Sequence, residues 1–165
     1  SLPMQSGYAS RTRTILRAQQ AAGLEVRGIT GRRHTDAGPD EETVDGIDFH
    51  RTAGARVGPP LLRHWLELRA LTRAIDRLCE AWRPDVLHAH SPAICGDAAL
   101  RVARRRRIPL VYEIRAFWED AWVANGGGTE RALKYRLGRA HETRVVAGAD
   151  AVVTICEGLR GDLLT

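Results

Sequence analysis

Short runs of β-branched and apolar residues alternate along this chain with longer stretches whose apolar positions recur at helical spacing, and that alternation limits the possible folds most. Parallel strands need a long crossover between them, usually a helix, so a strand–helix repeat points to an α/β fold built on a parallel sheet. A loop over Ser1–Tyr8 precedes a predicted helix from Ala9 to Ala22, with Ile15, Leu16, Gln19 and Ala22 forming its inward stripe and Gly23 closing it. Leu24–Thr30 and Ile47–Arg51 read as strands, separated by a polar, turn-rich segment, Gly31–Glu42, expected to be a loop. After Pro59-Pro60 a long helix should run to about Trp82, with Leu61, Trp65, Leu68, Ile75, Cys79 and Trp82 recurring at helical spacing and Arg63, Arg69, Arg73 and Arg77 on other faces.

The second half continues the pattern. Arg83-Pro84-Asp85 breaks the helix, and Asp85–His90 is the clearest buried strand. Ser91-Pro92 turns into a helix reaching the Arg104–Arg107 block, and Leu110–Ile114 is the next strand. A loop over Arg115–Gly128 precedes a helix from Thr129 to Ala147; Ala151–Ile155 is the last strand and Glu157–Leu164 begins another helix. At 165 residues this is one domain, residues 1–165, of a Rossmann-like, doubly wound parallel sheet. In that architecture a central strand precedes the first glycine loop, yet none precedes Ser6-Gly7-Tyr8. The expectation is a gap between the Val26 and Val86 strands, a first central strand absent from the chain, and a continuation beyond Thr165.

Ligands of open α/β sheets bind beyond the carboxyl ends of the strands. That rule gathers Gly7 before the first helix, His88 and His90 ending one strand, Glu113 and Arg115 ending the next, and Glu157 after the last. Gly7 allows close backbone approach, and the helix start behind it offers N–H groups to phosphate; a simple tight turn explains it as well. His88 and His90, two apart on a strand, share one face. With Glu113 they offer metal-type donors, although no third ligand has ligand-like spacing, and no metal site is expected. His88 reads as a hydrogen-bonded core histidine, whereas His90, last in its strand and followed by Ser91-Pro92, should face the cleft and bond a sugar hydroxyl or a phosphate. The stretch from Tyr112 to Asp120 sets charges among aromatics directly after a buried strand, which suits a polyhydroxyl acceptor, with Trp118 available for stacking. An internal Glu113–Arg115 ion pair is the competing reading. Asn125-Gly126-Gly127-Gly128 reads as the hinge of a lid or as a plain surface loop.

Composition narrows the partners. The formal charge of +5 rests on arginine, Lys134 being the only lysine, and reads as a solvated basic surface or as attraction to anionic lipid, phosphate or polyanionic sugar. No run is long and apolar enough to span a bilayer. Cys79, Cys95 and Cys156 form no CxxC pair, so free thiols in a cytoplasmic setting are expected.

Ser6-Gly7-Tyr8-Ala9-Ser10-Arg11-Thr12, His88-Ala89-His90-Ser91-Pro92 and the segment from Ala149 to Leu159 occur in the order found in family 4 (group 1) glycosyltransferases, which the chain resembles over nearly its whole length. The Tyr112–Trp122 stretch resembles the subgroup associated with bacterial exosortase and exopolysaccharide loci. The resemblance implies the GT-B fold, two Rossmann-like domains facing across a cleft, of which this would be the amino-terminal, acceptor-side half. It implies retaining transfer of a sugar from a nucleotide-sugar donor, with no tightly bound cofactor and no required metal. His90 would take the place of the family's cleft histidine near the donor sugar, and Ser6, Gly7 and Tyr8 that of the loop near the donor phosphates. His88, Ser91, Glu113, Arg115, Trp118 and Glu157 would line the acceptor cleft. The Glu-x7-Glu pair and most nucleotide contacts belong to a carboxy-terminal domain, so this half alone is expected to be inactive. The acceptor would be a glycan or a lipid-linked sugar, with peripheral contact to anionic membrane at the inner face through basic surfaces near Arg63–Arg77 or Arg104–Arg107.

Other readings are a nucleotide-sugar 2-epimerase of the same architecture and a non-catalytic α/β ligand-binding module. A nucleic-acid binder is not expected, for want of an aromatic-basic platform or a helix-turn-helix.

Overall fold

The computed structural model describes residues 7–31, 41–52 and 59–164. In chain order its elements are α1 (Gly7–Ala21), β1 (Arg27–Thr30), β2 (Glu41–Val44), β3 (Ile47–Arg51), α2 (Pro60–Trp82), β4 (Leu87–His90), α3 (Ala93–Arg106), β5 (Leu110–Ile114), α4 (Trp118–Ala124), α5 (Leu133–Gly148), β6 (Ala151–Thr154) and α6 (Glu157–Leu164). The chain divides into two compact units, residues 1–71 and 72–165. The expected α/β fold with parallel sheets is present, its described strands arranged as two three-stranded sheets.

In the first unit the strand order is β1-β3-β2, with β1 and β3 parallel and β2 antiparallel to β3. The antiparallel strand departs from the expected all-parallel arrangement, and it begins at Glu41, inside the end of the Gly31–Glu42 segment expected to be a loop. Its cause is local. Asp45 and Gly46 both have positive φ, 55° and 76°, which makes a two-residue hairpin turn of the primed type favoured by Asp-Gly. Two residues leave no room for a crossover, so β2 must run antiparallel. Side chains of α1 hold this turn, with Arg13 paired to Asp45 at 2.6 Å and Gln20 Nε2 donating to the Gly46 carbonyl at 3.2 Å. Ala9, Leu16, Ile47 and Phe49 form the buried cluster beneath it. Gly23 (φ 84°) ends α1 as expected: its N–H reaches the Gln20 carbonyl and that of Leu24 reaches Gln19.

In the second unit β4, β5 and β6 are parallel and adjacent in that order. β1 and β4, expected on either side of a missing strand, each end their own sheet. Leu110, Tyr112 and Ile114 of β5 are fully buried and share one face, the face to which α3 and α5 contribute Gly96 and Val145. Glycines set this packing: a methyl on Gly96 would meet Val145 at 2.5 Å and the Tyr112 ring at 2.7 Å, and one on Gly148 would meet Leu100 at 2.6 Å. Helix α3 ends at Arg107, left-handed at φ 57°, followed by the Ile108 N–H returning to the Ala103 carbonyl.

Helix α4 lies inside the segment expected to be loop. Glu119 and Asp120 favour its first turn, and Gly126 (φ 74°) ends it, with Gly126 N–H on the Val123 carbonyl and Gly127 N–H on that of Trp122. The glycine run, read as a hinge or a plain surface loop, follows directly on the end of this helix. The Trp122 indole covers Gly127 and Gly128, and Lys134 Nζ sits 4.3 Å from its ring centroid. In α2, of the apolar positions at helical spacing, Leu68, Ile75 and Cys79 are buried, together with Leu71, Trp82 is half-buried, and Leu61 and Trp65 are exposed. They belong to the first turns of the helix, where the apolar periodicity carries on past the buried stretch.

Candidate functional site

The parallel register sets His90 beside Glu113, with His88 beside Val111. Side chains alternate along strands, so His88, His90 and Glu113 share the face opposite Tyr112. His88 Nε2 lies 3.3 Å and His90 Nε2 lies 3.7 Å from Oε2 of Glu113, and the two imidazoles meet edge-on with centroids 4.6 Å apart. The other carboxylate oxygen, Oε1, accepts from Arg115 Nε at 2.9 Å. Ser91 completes the arrangement: its Oγ accepts the Arg115 backbone N–H at 3.0 Å, and its own N–H donates to the Glu113 carbonyl at 2.9 Å. The Ser91–Pro92 peptide is cis.

Glu113 and Arg115 are buried, their side chains 4% and 3% exposed, while the two imidazoles keep 23% and 20% of their surface. The cluster is thus a buried ion pair capped by two part-open histidines. Burial pushes the His88 imidazole below its ordinary value, against the pull of Glu113, and Arg115 adds to the downward push. His88, His90 and Glu113 offer three donor atoms within 4.8 Å of one another, a set able to approach one cation. The Arg115 guanidinium on the same carboxylate opposes a second positive charge there.

Five of the expected site residues, His88, His90, Ser91, Glu113 and Arg115, therefore come together at the carboxyl ends of β4 and β5. The internal Glu113–Arg115 ion pair, one of two readings of that segment, is present. Trp118 opens α4 three residues after Arg115 and is 36% exposed. Glu157 opens α6 just beyond β6, exposed, with its carboxylate on Arg160 at 3.0 Å. Gly7 and Tyr8 form the first turn of α1 in the other unit, both exposed, and a methyl on Gly7 would meet nothing within 4 Å. Ser6 lies outside the described residues.

A second charged cluster escaped sequence reasoning. Asp97 of α3, 2% exposed, accepts from Arg101 Nε at 3.2 Å and meets His141 Nε2 of α5 at 3.2 Å, with Arg144 at 3.6 Å. Burial alone would raise its carboxyl, but the bonds from His141 and Arg101 and the charges of Arg101 and Arg144 hold it well below the usual carboxylate range. Nearby, the buried Tyr112 hydroxyl donates to Glu142 Oε1 at 2.6 Å; burial pushes that phenol and that carboxyl up. The only sequence signal was the Asp97–Arg101 spacing of four on one helix. His141 is 44 residues from Asp97, and no local pattern links them.

The family model for a glycosyl transferase 4-like domain matches residues 6–165. Among solved structures, sucrose-phosphate synthase from Thermosynechococcus elongatus superposes with a TM-score of 0.76 at 16% identity, over 96% of this chain and 39% of that one. At that identity the likeness shows a shared fold. The chain spans well under half the length of that enzyme. No curated protein sequence gives a significant match.

Proposed function

Because this chain belongs to the glycosyl transferase 4-like domain family, we propose that it is the acceptor-side domain of a two-domain retaining glycosyltransferase, transferring a sugar from a nucleotide-sugar donor to a glycan or lipid-linked acceptor in bacterial exopolysaccharide or glycoconjugate synthesis. The observation that carries the reading is His90 at the carboxyl end of β4, part-exposed and set against Glu113. Its imidazole is placed to hydrogen-bond the donor sugar, while Ser91, Glu113, Arg115, Trp118 and Glu157 line or support the acceptor side. By the family pattern the Ser6-Gly7-Tyr8 segment takes the role of the donor-phosphate loop. On this reading the transfer proceeds with no tightly bound cofactor and no required metal. We place the enzyme in the cytoplasm, peripherally at the inner membrane face.

The membrane part of the proposal rests on α2, where Leu61, Leu62, Trp65 and Leu66 are exposed beside arginines, with Arg69 over the Trp65 ring at 5.0 Å. Among the described residues, no helix is long and apolar enough to cross a membrane. The Arg104–Arg107 block is less suited to lipid: Arg105 and Arg106 pair with Asp76, and Arg106 also with Glu80.

The test is an assay of the two-domain enzyme against a panel of nucleotide-sugar donors and lipid-linked acceptors. Transfer with retention at the anomeric carbon is the expected result. Epimerisation or hydrolysis of the donor with no transfer to any acceptor would replace the proposal by the epimerase reading.

A further inference from the structure

Spacing along the chain provides no third ligand beside His88 and His90, but the parallel register supplies one by setting Glu113 of β5 next to His90 of β4. The donor atoms of these three side chains lie within 4.8 Å of one another. Around a four-coordinate zinc ion, bonds of about 2.0–2.2 Å put neighbouring donors roughly 3.3–3.6 Å apart. His88 Nε2 and His90 Nε2 stand 3.3 Å and 3.7 Å from Oε2 of Glu113, so two edges of such a shell are already close to length. The third edge, between the rings, closes by turning imidazoles that keep 23% and 20% of their surface open. Glu113 itself is held still. Arg115 Nε takes its Oε1 at 2.9 Å, which leaves Oε2 toward the histidines.

We propose that His88, His90 and Glu113 form a reversible zinc site that inhibits the enzyme. Two imidazoles and one carboxylate oxygen suit zinc and discriminate against magnesium and calcium, which favour shells of oxygen. Three protein ligands leave one position to water, unlike the closed four-ligand sites that hold a fold together. The Arg115 guanidinium beside the carboxylate repels the ion and lowers its affinity, so the ion exchanges. The inhibitory role rests on the transferase reading of His90: a bound zinc occupies the imidazole that otherwise meets the donor sugar. Zinc is then an inhibitor of the transfer and no requirement for it.

Zinc titration of the metal-free 165-residue chain tests the site, read by competition with a chromophoric chelator and by histidine ring signals in NMR. One equivalent should bind, shifting the His88 and His90 signals first, and excess magnesium should not displace it. His88→Ala and His90→Ala, each checked for folding by circular dichroism, should weaken binding by at least about 10-fold, the cost of losing even an outer-shell partner. His50→Ala removes another histidine that faces a carboxylate, Glu41, and should leave the affinity unchanged. Equal affinity in the wild type and the two site variants overturns the proposal, as does zinc that shifts other histidines first. In the two-domain enzyme, zinc should depress transfer and a chelator should restore it, and His88→Ala should lose most of that sensitivity whatever its own turnover. Binding at these residues without inhibition overturns the inhibitory role. Sugar transfer by His90→Ala in metal-free buffer decides the transferase reading separately, and either can fail alone.

Discussion

Glu113 and Asp97 are both buried carboxylates, both face histidine and arginine, and both belong to the same unit, yet they differ in address. Glu113 ends a strand, on the face away from Tyr112, and its histidines keep about a fifth of their surface open. Asp97 sits within α3, and its partners are one turn along that helix or on the packed helix α5. The chemistry of the two clusters is nearly the same. Position relative to the strand ends is what makes one the candidate site and the other a fastening between helices.

Substitutions that separate address from chemistry sharpen that contrast. The largest effect expected is on transfer: His90→Ala should lower turnover of the two-domain enzyme by about 100-fold or more, the scale of a lost catalytic hydrogen-bonding or acid–base group. His88→Ala should cost much less, and equal mild losses would take His90 out of the site. Next comes stability. Asp97→Ala removes the buried acceptor of His141 and Arg101, whose arginine partners are half exposed, and should cost about 1–2 kcal/mol in denaturant unfolding. Because the folded state holds this carboxyl below its ordinary value, its stabilising contribution is present above about pH 4 and is lost as pH falls further, so Asp97→Asn should flatten the acid limb of the stability profile. Gly96→Ala forces a methyl against Val145 and Tyr112 and should cost about 1–3 kcal/mol by thermal unfolding. Gly161→Ala, on α6 with nothing within 4 Å, should instead stabilise by up to about 1 kcal/mol.

Sequence periodicity located most elements because their inward stripes are regular. It missed β2 and α4, where the decisive signals were single residues. Asp45-Gly46 dictates a hairpin, and Glu119-Asp120 followed at Gly126 by a left-handed terminator dictates a short helix. Both segments looked like loops because they are polar or glycine-rich. The His88–His90–Glu113–Arg115 cluster was legible because the four lie in or just beyond the carboxyl halves of two adjacent strands, and strand ends can be read from sequence. The Asp97 network was not, because α3 and α5 meet only through tertiary packing, and a 44-residue separation leaves no trace in local pattern.

The contrast stands or falls on one paired measurement: turnover per folded molecule of Glu113→Gln and Asp97→Asn in the two-domain enzyme, at a temperature where both remain folded. Glu113→Gln should lose most of its turnover with little change in KM, and Asp97→Asn should match the wild type. Equal turnover in the two variants, or a loss confined to Asp97→Asn, would contradict the assignment of the strand-end cluster as the site.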